Sequence, residues 1–303
     1  MTQKPQRPWR MVAPLAAVVI IFILWSGYWF AAEGLARNYA ESYRGQLAAR
    51  GFTLTCASES WGGYPFRFEF ACSLPVADLP GGRRIGSGNL LAVAQAYDPL
   101  HIVGLIDGPT SVTLHPGETI TASHDRAAVS VRVKGRELQQ IDAEAGNVSA
   151  PGLIDAKDLQ VHTRPAQGDG LDVAISLEGT IYTLPDGKKI SLDHSQLIAT
   201  VTAPDQISIQ TAEATQGGLK LWGKGNLGLD AGHRPSGRIT AATNDFNALL
   251  TAIDPYVAIN GEQRATLTMV LGLLGKTAKI DIVAKDGQLF VGPMKAGDLR
   301  PLY

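Results

Sequence analysis

Charge is sparse in this chain and nowhere concentrated. Only 18% of the 303 residues are Asp, Glu, Lys or Arg, and the net charge is −1. No basic stripe of the kind that tracks a phosphate backbone is present, so a nucleic-acid partner is not expected. No block of like charge and no low-complexity tract occurs, which argues against disorder beyond the first few residues. Cysteine is confined to Cys56 and Cys72. Their spacing is not C-x-x-C, so neither dithiol redox catalysis nor a zinc site is indicated. The six histidines, at 101, 115, 124, 162, 194 and 233, never fall into HExxH, HxH or another ligand spacing, and no metal is expected. His115 and His124 could face each other across a hairpin around Pro116-Gly117, but they read as solvated strand histidines. No G-x-S-x-G elbow exists. Asp193-His194-Ser195 holds the atoms of a nucleophilic triad. Neighbours on a strand point to opposite faces, however, so three consecutive residues cannot form one. The chain therefore reads as a non-enzyme, with no catalytic residue and no cofactor.

What is present is one long apolar run. Met11 to Ala32 contains no charged residue, and Lys4, Arg7 and Arg10 precede it. At about 1.5 Å per residue it makes a helix of about 33 Å, enough for a hydrocarbon core of about 30 Å. The positive flank predicts a cytoplasmic N-terminus over residues 1–10, a single span over 11–32 and a periplasmic domain over 33–303. Trp9 at one end, and Trp25, Tyr28 and Trp29 towards the other, suit the two interfaces. The competing reading is a cleaved signal peptide. Its apolar region is shorter and ends in small residues, whereas this run stays bulky through Tyr28-Trp29-Phe30. The anchored reading places the protein in the inner membrane and the two cysteines in an oxidising compartment. There an even count points to one disulfide, Cys56–Cys72, with two buried thiols as the alternative.

Beyond the span the pattern changes twice. In Glu33–Arg50, Leu35, Tyr39, Tyr43 and Leu47 recur every four residues, which predicts an amphipathic helix that leads into or packs on the first strands, stopped at Gly51. Then the period becomes two: Arg67–Cys72, His101–Ile106, Ser111–His115, Val129–Val133, Leu171–Leu177 and Gln206–Gln210 all alternate. Asp-Gly pairs at 107–108, 169–170, 186–187 and 286–287 signal hairpins. The expected fold is mainly β (α+β): a transmembrane helix followed by a long curved antiparallel sheet of a dozen or more strands. It is interrupted by a short helix at Asn244–Ala252, capped by Thr243 or Asn244, and a second at Gly261–Lys276. No linker is convincing, so a single exported domain is expected.

Outside the span, aromatics gather at Trp61, Tyr64, Phe66, Phe68 and Phe70. They read either as ordinary sheet core or as the floor of an apolar groove, with Phe66, Phe68 and Phe70 on one face of a strand. Arg67, on the other face, would pair with a cross-strand carboxylate or a lipid headgroup. Arg83 and Arg84, bracketed by Gly81-Gly82 and Gly86-Ser-Gly88, form either a plain surface turn or a second contact for lipid phosphates.

The stretch Trp61-Gly-Gly-Tyr-Pro-Phe-Arg-Phe-Glu-Phe-Ala-Cys72, after an anchor and a short helix, resembles the DUF2125 family of alphaproteobacterial envelope proteins, whose function is unknown. The closing Asp286-Gly287, strand, Gly292-Pro293 and Pro301-Leu302 extend that resemblance over nearly the whole chain. It implies export and the anchor but no catalytic residues. A looser architectural similarity is to AsmA-like envelope proteins, in which one N-terminal helix precedes long curved sheets whose apolar concave face holds acyl chains. Two functions are therefore expected to compete. One is a membrane-anchored periplasmic protein that binds or moves lipid or another hydrophobic ligand. The other is an assembly scaffold that recruits an envelope protein through a sheet edge.

Overall fold

The computed structural model describes residues 9–115, 117–135, 137–168, 170–184, 186–202, 206–255, 279–292 and 294–301. The helix expected at Gly261–Lys276, the basic residues Lys4 and Arg7, the Asp169 turn position and the final Leu302-Tyr303 lie outside them. The chain divides into two compact units, one formed by residues 1–104 and 111–119 and the other by residues 105–110 and 120–303.

The first unit opens with α1 (Trp9–Ala48), one uninterrupted helix of 40 residues that includes Pro14. It is the one helix among the described residues long and apolar enough to cross a membrane. Its end is set where expected. Gly51 adopts φ +82°, and the amides of Gly51 and Phe52 fold back onto the carbonyls of Ala48 and Leu47. A left-handed residue just past a helix is a glycine role because it carries no Cβ penalty.

Nine short strands follow: β1 (Thr53–Thr55), β2 (Ser58–Gly62), β3 (Arg67–Ser73), β4 (Val76–Leu79), β5 (Arg83–Gly86), β6 (Asn89–Gln95), β7 (Asp98–Ile106), β8 (Thr110–His115) and β9 (Glu118–Ala122). They sort into two open sheets. One runs β1-β4-β5-β8-β9; in the other β2, β3, β6 and β7 are successive hydrogen-bonded neighbours. The disulfide Cys56–Cys72 closes the β2–β3 hairpin at its far end from the turn, with Cα atoms 5.4 Å apart.

The second unit is the antiparallel meander that alternation predicts. Its strands are β10 (Ala127–Lys134), β11 (Glu137–Ala150), β12 (Ile154–Pro165), β13 (Gly170–Thr183), β14 (Lys189–Thr202), β15 (Gln206–Gln216), β16 (Leu219–Leu229), β17 (Pro235–Thr243), β18 (Lys279–Lys285), β19 (Gln288–Val291) and β20 (Met294–Asp298). Each pairs with the next in sequence order. Directly opposed residues share a face, so the register can be read across the strands. Val129, Ala143, Val161, Ile175, Leu197, Ala212, Gly223, Ala241 and Ile280 form one continuous apolar row. A parallel row runs Val173, Ala199, Ile209, Gly225, Ile239, Ile282 and Val291. A bulge in β15 around Gln210 keeps the apolar residues on the same face.

The opposite face is polar, with Glu144, Gln160, Ser176, Gln196 and Glu213 in one row. Between β17 and β18 lies α2 (Phe246–Ile253). Its cap is Asp245, whose carboxylate accepts from the Ala248 amide, and not Thr243 or Asn244. Asn244 is already committed, since its amide group bonds the Lys220 N–H and the Gly218 carbonyl at the start of β16.

Two further expectations are corrected. Leu35, Tyr39 and Tyr43 do not pack on the strands; they are 74%, 71% and 53% exposed. The face of α1 turned to β2 and β3 is instead the one carrying Trp29, Arg37 and Arg44. Arg37 lies over the Trp61 ring, and Arg44 lies over Phe70 and pairs with Glu59 at 3.0 Å. Long cationic side chains laid across aromatic faces turn this side towards the strands, with Arg37 itself still exposed. Asp107-Gly108 is not a hairpin turn either. Gly108 precedes Pro109, and β7 and β8 belong to different sheets. Asp286-Gly287 does behave as expected, with φ of +54° and +73° between β18 and β19, the two positive values a type I′ turn requires.

Candidate functional site

The aromatic cluster expected around Trp61–Phe70 is real, and α1 completes it. Gly63 adopts φ +99° at the root of the β2–β3 turn. A Cβ there would sit 2.5 Å from the Arg67 carbonyl oxygen, so only glycine permits the tight reversal. The turn brings Tyr64 and Pro65 against the helix.

The helix meets the turn with donors. Trp25 donates its indole N–H to the Pro65 carbonyl at 2.8 Å, and Trp29 donates to the Arg67 carbonyl at 3.0 Å. The Tyr28 hydroxyl donates to the Ala96 carbonyl at 2.8 Å, and Ser26 and the Tyr64 hydroxyl share a bond of 2.8 Å. Two further turn carbonyls are satisfied by backbone, Gly63 by the Arg67 amide and Phe66 by the Ala96 amide. The rings interlock as well. Trp29, 4% exposed, stacks on Phe68 and meets Tyr64 edge-on, while Tyr64 also stacks on Phe30. Trp61 and Phe70, directly opposed across β2 and β3, touch at 5.0 Å.

Of the five residues expected to floor a groove, Trp61, Tyr64, Phe68 and Phe70 thus lie under or beside α1. Phe66 stands apart at 69% exposed. Arg67 pairs with Glu69, two positions along its own strand and not across to a neighbour. Arg83 donates to the Pro80 carbonyl and Arg84 pairs with Asp78, both at the exposed turn built on Gly81 and Gly82. Arg67 and the Arg83–Arg84 pair lie in different sheets, so the structure does not gather the three into one cationic site.

The histidines take separate partners. His115 lies 3.5 Å from Glu118, and His124 bonds Thr110. His194 bonds Glu178 across β13 and β14, while Ser195 points to the other face near the Tyr182 hydroxyl. Among the described residues, no three His, Cys, Asp or Glu groups are arranged to hold a metal ion.

The polar face of the second unit satisfies itself by such cross-strand pairs. At Asp142, burial pulls the carboxyl up, but hydrogen bonds from His162 and Gln140 and the nearby charges of His162 and Arg164 outweigh it, so the group sits below its usual range. Among the described residues, the apolar face is enclosed at Ala199 and Ile209 but stays partly open along its longer row. Every member of the Val129–Ile280 row is half-buried and none is fully enclosed. Its signal was present in the alternation. The clasp of α1 on the β2–β3 turn carried no sequence signal, because it joins residues 38 to 40 positions apart.

No curated protein and no solved structure matches the chain. A family model described as "Uncharacterized protein conserved in bacteria (DUF2125)" matches residues 29–300, from the clasp tryptophan to the closing tail. The chain belongs to this family.

Proposed function

We propose that the protein is a single-pass inner-membrane protein whose β-rich part lies in the periplasm and holds lipid or another hydrophobic ligand on the apolar face of its meander. The observation that carries this reading is the Val129–Ile280 row, with its neighbour through Val173 and Ile239. The first row is an apolar surface nine strands wide whose members all keep part of their area accessible, while Ala199 and Ile209 in the neighbouring row are buried. Contiguous apolar area of this kind on a folded protein marks a site that something apolar occupies. The Cys56–Cys72 bridge supports an oxidising compartment, and the basic residues before the span support the orientation.

The open sheets favour a second reading. Among the described residues, strand β20 ends the order of its sheet and offers an unpaired edge, which suits recruitment of a protein by strand addition. One experiment separates the two. A photoreactive phenylalanine analogue placed at Ile175 or Leu197 in cells gives lipid adducts on the first reading. Protein adducts at Gly297 on β20, with no lipid at 175 or 197, support the second and overturn the first.

A further inference from the structure

The β2–β3 turn is bound to α1 at a level that matters. Along the helix, Trp25 lies about 22 Å and Trp29 about 28 Å from Arg10, against a hydrocarbon core of about 30 Å; tilt shortens these heights further. With Arg10 at the near boundary, both indoles lie below the far one. The Pro65 and Arg67 carbonyls that accept from them therefore lie at acyl-chain depth or at its rim, and Ala96, bonded to Tyr28, lies there too.

We infer that the Tyr64–Phe66 turn and the Ala96-Tyr97 turn are a wedge seated in the outer leaflet beside the span, with phospholipid acyl chains as its surroundings. Three features of the turns fit lipid and not water. Their outward side chains are aromatic, with Phe66 69% and Tyr97 73% exposed, and the turns that carry them meet the helix through Tyr64 on Phe30 and Ala96 on Tyr28. The backbone carbonyls of Gly63, Pro65, Phe66, Arg67 and Ala96 all have donors, three of them side chains of the helix itself. Unpaired carbonyls are what a bilayer does not tolerate. The nearest charges stand behind the aromatic tips, Arg67 and Asp98 by one residue and Glu69, the partner of Arg67, by three, at the rim from which a long guanidinium reaches the headgroups.

The inference rests on α1 spanning the membrane, and its test separates the two. A spin label is attached through a keto amino acid at position 66, 97, 22 or 144 of the full chain, reconstituted in phosphatidylethanolamine–phosphatidylglycerol liposomes. Collision with oxygen and with a water-soluble nickel complex then reads depth. Phe22 is exposed in mid-span, and Glu144 is exposed on the polar sheet face. Positions 66 and 97 are expected to show an oxygen-to-nickel collision ratio several-fold above that of 144 and approaching that of 22. Values at 66 and 97 equal to 144, with 22 still deep, overturn the wedge and leave the anchor standing. An aqueous value at 22 overturns both. Both labelled turns carry exposed side chains, and an intact Cys56–Cys72 bridge by mass confirms that each variant has folded.

Discussion

The indole of Trp29 donates to the carbonyl of Arg67 at 3.0 Å while its ring lies against Phe68, so one side chain supplies both a polar and an apolar tie between α1 and the strands. Trp29→Ala removes a nearly enclosed ring and is expected to cost about 3–5 kcal/mol. Trp29→Phe keeps most of the packing but strands the Arg67 carbonyl, at about 1–3 kcal/mol. Limited proteolysis of the liposome-bound chain checks the order: cleavage in residues 49–66 rises for Phe and rises further for Ala. Equal resistance of all three proteins would show that the clasp does not hold the strands.

The disulfide spans a separation of 16 residues. A closed loop of that size contributes about 3 kcal/mol, largely by restricting the unfolded chain. Cys56→Ser with Cys72→Ser, or addition of reductant, should lower the first unit's thermal transition and leave the meander's unchanged, as read by hydrogen exchange of β3 against β13.

Asp142 gives a pH dependence of definite sign. Its folded-state carboxyl sits below the ordinary 3.8, lowered on balance by His162 and Gln140 against burial. Its contribution is complete above that ordinary value and is lost as pH falls through the lower folded one. Exchange protection of β11 and β12 should therefore fall in acid more steeply for the native chain than for Asp142→Asn, which forfeits the contribution at every pH.

Strands β16 and β17 approach most closely at Gly225, where a Cβ would lie 2.0 Å from the Arg238 carbonyl oxygen. The neighbour is backbone and cannot swing aside. Gly225→Ala is expected to destabilise the meander by about 1–3 kcal/mol or more, visible as a lowered urea midpoint. Gly218→Ala, with nothing within 4 Å, serves as the comparison and should shift it far less.

On the apolar face, Ile175 and Leu197 stand directly opposed. Ile175→Glu with Leu197→Glu should cut retention of a fluorescent fatty acid by the reconstituted chain at least about tenfold, a loss of about 1.4 kcal/mol. Retention unchanged from native would remove the apolar face as the place where ligand sits.

Much of this architecture was legible in the residues. Alternation from Val129 onward carried the meander, because a strand with one wet and one dry face must alternate. The two cysteines carried the bridge, and Asp286-Gly287 carried its turn. Periodicity misread the face of α1. Leu35, Tyr39 and Tyr43 are the apolar stripe, yet Arg37 and Arg44 face the strands because Trp61 and Phe70 offer them rings. Asp107-Gly108 misled because a hairpin signal is local, whereas the departure of β8 into another sheet is decided by distant pairing with β5. The aromatic site was visible from Trp61 to Phe70. Its cover was not, since nothing in the local sequence announces that residues 25 to 30 return to the same place.

Because α1 passes from Trp9 to Ala48 without a joint, the span and its clasped strands turn as one piece. Rotation of the buried segment about its own axis must swing β2 and β3 through the same angle, and Ala48 lies about 24 Å beyond Ala32 along that shaft. On the membrane placement proposed above, the strands therefore keep a fixed azimuth relative to the span. A neighbouring helix that gripped Ile20 or Phe22 would be steering the strands at the other end of the shaft, with no slack to absorb the torque.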